Sequence, residues 1–366
     1  MAADSMTAGH RAPRILALAW LTLFVLLVVG VVALTLLGNP RAGQSVVVMD
    51  LPRPQAARLA PKVRPVPGNV AALPPIQPDA TPVAVPPPLA LPQKITQQQF
   101  AGRALIADPA LIENTSEGPL PRIADDGTTP MRAYAPPAIS DGRPRIAIVI
   151  TGLGISATAT QTAIDGLPAG VTLAFAPYAG DVQRWAGEAR RMGHEVLLEI
   201  PMEPYDFPDS DPGPHTLRSG TAEDSNTEKL VWALTRFSGY AGVTNLSGGR
   251  FLSDAGSLEP MMTYLARRGL LFYDNGQAAH SAGPDVASRT GTAFAQADST
   301  IDKIQTAMEI DHRLSSLETI ARTRGTASGS GFIHPVTIER VKSWAAGLGG
   351  RGFVLVPASA IVSQSK

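Results

Sequence analysis

Hydrophobic and polar residues follow three different regimes along this chain. The first, residues 15–37, is an uninterrupted apolar run with no charged side chain and only Thr22 and Thr35 as polar groups. A helix of that length spans a hydrocarbon core of about 30 Å at about 1.5 Å rise per residue. It exceeds the h-region of a cleaved leader, and the LLGNPRAG stretch after it is a poor cleavage site. The run therefore predicts an uncleaved single-pass anchor, preceded by a short tail at residues 1–14. Arg11 and Arg14 before it, and Arg41 and Arg53 after it, leave the charge rule nearly tied. A short tail ahead of a long exported segment favours an inside amino terminus.

The second regime, residues 38–142, has no apolar periodicity. Prolines crowd residues 51–92, including Pro86, Pro87 and Pro88, and the only aromatics are Phe100 and Tyr134. Proline lacks a backbone donor and favours polyproline II. The expectation is a disordered or extended Pro-rich linker.

The third regime, residues 143–366, alternates short apolar runs with stretches of helical period. Strands are expected at 146–150, 171–176, 195–200, 241–245, 270–274, 292–295, 326–332 and 353–357. Helices are expected at 156–165, 181–192, 226–237, 258–268, 299–324 and 335–348. Runs such as IAIVI and EVLLEI, apolar and β-branched, suit strands buried on both faces. The alternation implies an α/β fold with a mostly parallel sheet, either a regular or distorted (β/α) barrel or a doubly wound open sheet.

Composition then narrows the chemistry. Lys plus Arg and Asp plus Glu are both 31, so formal net charge is zero, and no nucleic-acid partner is expected. With no Cys, disulfides, thiolate metal sites and cysteine nucleophiles are excluded. The six His form no short-spaced ligand pair. The Asp206–Asp211 loop could hold a hard cation, but a solvated acidic loop is the better reading. Gly152-x-Gly154-x-x-Ala157 follows a strand and opens a helix like a dinucleotide fingerprint, yet no acidic residue ends the next strand. The Ser328-Gly329-Ser330-Gly331 stretch is only loosely like a serine-hydrolase elbow. In parallel α/β folds the site lies at the C-terminal strand ends. Glu199, Glu203, Asn245, Arg250 and Asp274 all fall there and are the candidate site residues.

The segments RIAIVITGLG, GHEVLLEIPMEP, DPGPHTL, GVTNLSGGRF and LLFYDNG, in that order, resemble the divergent polysaccharide deacetylase family. The resemblance runs from about Arg143 to the carboxyl terminus. It implies a distorted (β/α) barrel related to metal-dependent polysaccharide de-N-acetylases. It also implies an inner-membrane, single-pass protein with its C-terminal domain in the periplasm. Several positions depart from the family pattern. The paired aspartates of the first strand stand here as Thr151 and Gly152, and the histidine of the third strand is Glu199. The histidine after the fourth strand is Leu246, and a late Gly-His-Pro reads Gly331-Phe332-Ile333. Glu203, Asn245, Gly248, Asp274 and Asp298 remain. No metal or other cofactor is therefore expected.

Two functional readings follow. In the first, the domain binds cell-envelope polysaccharide, peptidoglycan fragments or an envelope protein partner without catalysis. Glu203, Asn245 and Arg250 would bind sugar groups, joined by Glu199 and Asp274. Tyr178, Tyr205, Phe207, Phe251 or Tyr273 would stack on a sugar. In the second, Glu199 and Asp274 act as acid and base in a carbohydrate hydrolase or de-N-acetylase with altered chemistry. A purely structural envelope protein is the third possibility.

Overall fold

The computed structural model describes residues 107–138 and 141–362, together with Trp20, Thr22 and residues 24–26, which are helical. The run expected to cross a membrane, 15–37, otherwise falls outside the described residues, as does most of the expected linker. Among the described residues no helix is long and apolar enough to span a membrane.

Folded elements begin inside the stretch read as linker. A hairpin of β1 (Ile112–Thr115) and β2 (Gly118–Pro121) is followed by helix α1 (Pro130–Tyr134), which Thr129 caps. With Tyr134 as their one aromatic, these elements make no core of their own and borrow one instead. Leu120 belongs to the main hydrophobic cluster, and Met131 and Tyr134 pack on a second one. The Tyr134 ring also lies under the Arg190 guanidinium. A domain boundary at residue 143 would cut through this packing.

The main domain runs β3 (Arg145–Leu153), α2 (Ala157–Gly166), β4 (Thr172–Phe175), α3 (Val182–Arg191), β5 (Val196–Met202), α4 (Glu223–Leu234) and β6 (Gly242–Ser247). It continues with α5 (Gly249–Ser253), α6 (Ala255–Arg267), β7 (Leu271–Asp274), α7 (Gly283–Thr290), β8 (Ala293–Gln296) and β9 (Ser299–Thr300). It ends with α8 (Ala307–Arg324), β10 (Thr326–Phe332), α9 (Pro335–Leu348) and β11 (Val354–Val356). The sheet order is β8-β7-β6-β5-β4-β3-β10-β9, every pairing is parallel, and β11 pairs with the start of β3.

This order decides between the two expected architectures. β8 and β9 are the opposite edges of the sheet, yet only Ala297 and Asp298 separate them in sequence. Three Cα steps reach at most about 11 Å. Crossing an open sheet of that width would take about 34 Å at strand spacing. The edges therefore meet, and the sheet curls into a half-barrel. The doubly wound open sheet is excluded. The join is made by Ala297 N–H donating to the Asp274 carbonyl (2.8 Å) and Asp298 N–H donating to the Ser328 carbonyl (2.8 Å). The Asp298 carboxylate accepts the Ser328 N–H in turn (2.8 Å) and pairs with Arg324. Below this join the β8 and β10 edges part around a cleft of about 610 Å³.

Alternate side chains of each strand face opposite ways. Ile148, Ile150, Leu173, Phe175, Leu198, Ile200, Val243 and Phe272 point outward into one cluster with the helices. Val149, Ala174, Leu197, Leu271, Tyr273 and Ala295 point inward. At the N-terminal strand ends the interior is plugged by the turn Ala358–Ile361. There Ala358 N–H donates to Thr172 and Arg145 donates to the Ala360 carbonyl.

One expected element divides. The helix read over 299–324 is β9, a loop and α8. Ser299 and Thr300 pair with Gly329 and Ser330, and the α8 N-cap is Thr306, whose hydroxyl accepts the Glu309 N–H. The helical period of that stretch carries no mark of the strand at its head.

Candidate functional site

Glu199 is the fourth residue of β5 and is fully buried. It shares register with Thr244 on β6, which in turn shares register with Tyr273 on β7. These three therefore line the inner face. One Glu199 oxygen accepts the Gly152 N–H. The other has no hydrogen-bond partner, and neither has the neighbouring Thr244 hydroxyl. Burial pushes the Glu199 carboxyl up to about 8, against the single opposing bond from Gly152. Near neutral pH it is held mainly as a neutral acid.

Gly152 has φ +83°, and a Cβ there would run into the Phe332 ring. Thr151 donates its hydroxyl to the Gly331 carbonyl (3.2 Å). The Gly152 and Gly154 amides that a bound phosphate would need are taken by Glu199 and by Thr160 Oγ1 (2.8 Å). That arrangement removes the dinucleotide reading on geometric grounds.

Asp274 lies on the other face of the sheet. It follows Tyr273, which points inward, so its own side chain points outward. Its carboxylate accepts the Gly276 N–H (2.9 Å) and the Gln296 amide (3.2 Å). Burial raises its pKa, with Ser281, Gly276 and Gln296 opposing. Glu199 and Asp274 share no partner, and the pleat between them separates the expected acid and base.

Asn245 forms a closed pair with Asn275. Its Nδ2 donates to Asn275 Oδ1 (2.8 Å), its Oδ1 accepts the Asn275 N–H (2.9 Å), and its carbonyl accepts Asn275 Nδ2 (2.8 Å). Both residues are buried, so Asn245 is unavailable to a sugar. Glu203 is also buried and works as a local hub. Its carbonyl accepts the Arg250 and Phe251 amides (both 3.1 Å), and its carboxylate accepts the Ser219 N–H (2.7 Å). Arg250 Nε lies 3.8 Å from that carboxylate, and its side chain is exposed. Glu203 positions Arg250, and Arg250 alone of the expected binding residues reaches solvent.

Among the expected stacking rings, Phe251 and Tyr273 are fully buried, whereas Tyr178 and Tyr205 are exposed. One edge of the Tyr205 ring packs where a Gly249 side chain would be, and its hydroxyl meets Ser253 Oγ (2.7 Å). Phe207 carries the Arg218 guanidinium over its ring (4.8 Å). In the acidic loop, Asp206 accepts Ser210 Oγ (2.6 Å) and Asp211 accepts the Gly213 N–H (2.9 Å), so these carboxylates serve the loop itself. Ser328 and Ser330 bond the Tyr273 hydroxyl (2.7 Å) and the Asn275 carbonyl (2.5 Å) inside the barrel. They form no elbow.

The donor set does not fit a divalent metal. Thr151, Gly152, Leu246 and Phe332 stand where the resemblance implies ligands, and only Glu199 offers an anionic oxygen. Among the described residues no three His, Asp or Glu side chains group so as to hold a metal ion. Composition gave no warning that the Phe332 ring packs on Gly152. The only signal was a strand ending in Thr-Gly-Leu-Gly, a hint of positive φ.

Comparison with known proteins agrees with this architecture. The family model for divergent polysaccharide deacetylase matches residues 148–362. The uncharacterized protein YibQ of Escherichia coli K12 is 24% identical over 221 residues, 60% of this chain and 68% of its own length. An uncharacterized Haemophilus influenzae protein is 22% identical over 201 residues, 55% of this chain and 71% of its own. The crystal structure of the uncharacterized protein ATU2773 from Agrobacterium tumefaciens C58 is 41% identical with a TM-score of 0.66, covering 67% of this chain and all of that one. The curled parallel sheet, the strand-end segments and this match together place the chain in the divergent polysaccharide deacetylase family.

Proposed function

We propose that the protein is an inner-membrane-anchored envelope protein that acts in cell-envelope glycan metabolism by binding, without metal-assisted deacetylation. The family supports a polysaccharide or peptidoglycan ligand. The apolar run at 15–37 and the Pro-rich stretch after it support a tether that holds the domain in the periplasm. The observation that carries the reading is the state of Glu199. The one acidic side chain at the expected metal position is buried, held mainly as a neutral acid, bonded to the Gly152 N–H, and on the opposite face from Asp274. A glycan would meet the exposed Tyr178, Tyr205 and Arg250 instead.

Elemental analysis of the purified protein after zinc titration, with calorimetry against chitooligosaccharides and peptidoglycan fragments, tests this. The expected result is no stoichiometric zinc, together with glycan binding that Tyr205→Ala and Arg250→Ala weaken. Stoichiometric zinc that Glu199→Gln abolishes, or release of acetate from these glycans, would overturn it.

A further inference from the structure

Where its edges part, the curled sheet leaves backbone groups unused. β8 pairs with β7 alone, and β10 meets β9 only at Gly329 and Ser330. Successive residues of a parallel strand turn their N–H and C=O to opposite neighbours. Ala297 N–H meets the Asp274 carbonyl on the β7 side, so Phe294 and Gln296 turn theirs away from β7. On β10, the Gly325 carbonyl accepts from Arg145 on the β3 side. The Ser328 and Ser330 carbonyls accept from Asp298 and Ile301 on the other side. Thr326, in phase with these serines, turns its own pair that way too. Phe294, Gln296 and Thr326 all line the cleft of about 610 Å³. Among the described residues, none of their backbone groups on that side has a hydrogen-bond partner.

A bare strand edge is a template for another strand. Both edges of this cleft call for a chain offering N–H and C=O at every second residue, about 6.6 Å apart. A sugar has no such repeat. An extended peptide has it, and its alternate residues serve opposite neighbours, so one segment can bond β8 and β10 together. Size agrees. A strand residue fills about 3.3 by 4.8 by 10 Å, or about 160 Å³, so the cleft takes about four residues. Charge narrows the occupant further. Among the described residues the only charged ones lining the cleft are Asp298 and Arg324, and they pair with each other. A charge brought in beside them would meet no free counter-charge, so the fitting segment is uncharged. It is also free of proline, which has no N–H to give. The Pro-rich stretch at 51–92 is thereby a poor match.

The geometry points to a strand-addition site in this cleft for a short, uncharged, proline-free segment of another protein. The segment lies extended between β8 and β10, bonded to Phe294 and Gln296 on one side and to Thr326 on the other. This goes beyond glycan binding at the strand-end loops and stands or falls separately from it.

The test uses the full chain in zwitterionic nanodiscs, with empty nanodiscs as the blank. The probe is the peptide acetyl-Ser-Val-Thr-Val-Ser-amide, compared with the same peptide N-methylated at alternate residues. The expected result is binding of the first peptide with slowed amide exchange at Phe294, Gln296 and Thr326. The methylated peptide, which lacks half the donors, is expected to bind at least tenfold more weakly. Ser288→Trp places a large ring in the cleft from an exposed position on α7. It is expected to weaken the peptide at least tenfold while melting temperature and glycan binding are unchanged. Gln296→Pro removes one edge N–H and leaves the β7 ladder intact, with a similar loss expected. No protection by the peptide at millimolar concentration, equal binding of the two peptides, or no effect of either substitution would overturn the proposal. A tenfold gain in peptide affinity on deleting residues 363–366 would assign the cleft to the chain's own tail. Displacement of the peptide by peptidoglycan fragments would assign it to the glycan. Either result also overturns the proposal.

Discussion

At the scale of single residues, Glu199 makes a prediction whose sign is fixed by its environment. Its folded-state pKa is about 8, against 4.5 for the free side chain. Between those values the folded protein keeps a proton that the unfolded chain has given up. Stability from this group is therefore complete below about pH 4.5 and falls as pH rises toward about 8. At pH 7 the deficit is about 3 kcal/mol. Glu199→Gln reproduces the neutral acid without a proton to lose. Denaturant unfolding is expected to show the variant gaining about 3–4 kcal/mol at pH 8 and nothing at pH 4.5. A wild-type stability flat across that range would remove the neutral-acid assignment. Gly152 gives a second prediction. Gly152→Ala sets a Cβ against the Phe332 ring at positive φ, costing about 2–4 kcal/mol. Adding Phe332→Ala relieves the collision but not the backbone strain. A double-mutant cycle should then show partial, incomplete recovery.

At the scale of elements, what could be read from sequence depended on where each element finds its core. Strands such as β3 and β5 are apolar on both faces, so their runs stood out. Helices α6 and α9 bury a stripe against those strands and kept their period. The hairpin before residue 143 was illegible because its apolar contribution is sparse and its partners lie far along the chain. Leu120 joins the main cluster, and Arg268 binds Glu113 and the Pro121 carbonyl (both 2.8 Å). Leu120→Ala is expected to destabilise the domain by about 2–4 kcal/mol, read as a lower denaturant midpoint. If the hairpin were a passive end of the linker, the midpoint would not move. The site residues were legible in position and not in role. Glu203, Asn245 and Asp274 sit at strand ends as their spacing implied. Whether such a residue meets solvent or its neighbours depends on pleat and loop contacts that spacing alone does not carry. For Asn245 the deciding partner is Asn275, and for Glu203 it is the pair of amides opening α5.

At the scale of the whole molecule, the curled sheet closes at a short seam where the Asp298 side chain adds to a few backbone hydrogen bonds. β8 and β10 share no ladder. Asp298 joins them with its N–H to the Ser328 carbonyl and its carboxylate to the Ser328 N–H and Arg324. The 610 Å³ cleft opens directly below, so nothing beneath can take over the load. Asp298→Ala keeps the backbone bond but leaves the Ser328 amide and a half-exposed Arg324 without their acceptor. The loss is expected to be about 1–3 kcal/mol. Its distinctive sign is local, because opening that seam should accelerate amide exchange in β8, β9 and the first half of β10 before β4 or β5. The curled sheet is plugged below by the turn Ala358–Ile361, and Glu199 within it is fully buried. Uniform acceleration across all strands in Asp298→Ala would show that the curl is held by the helices instead, and that the seam is incidental to it.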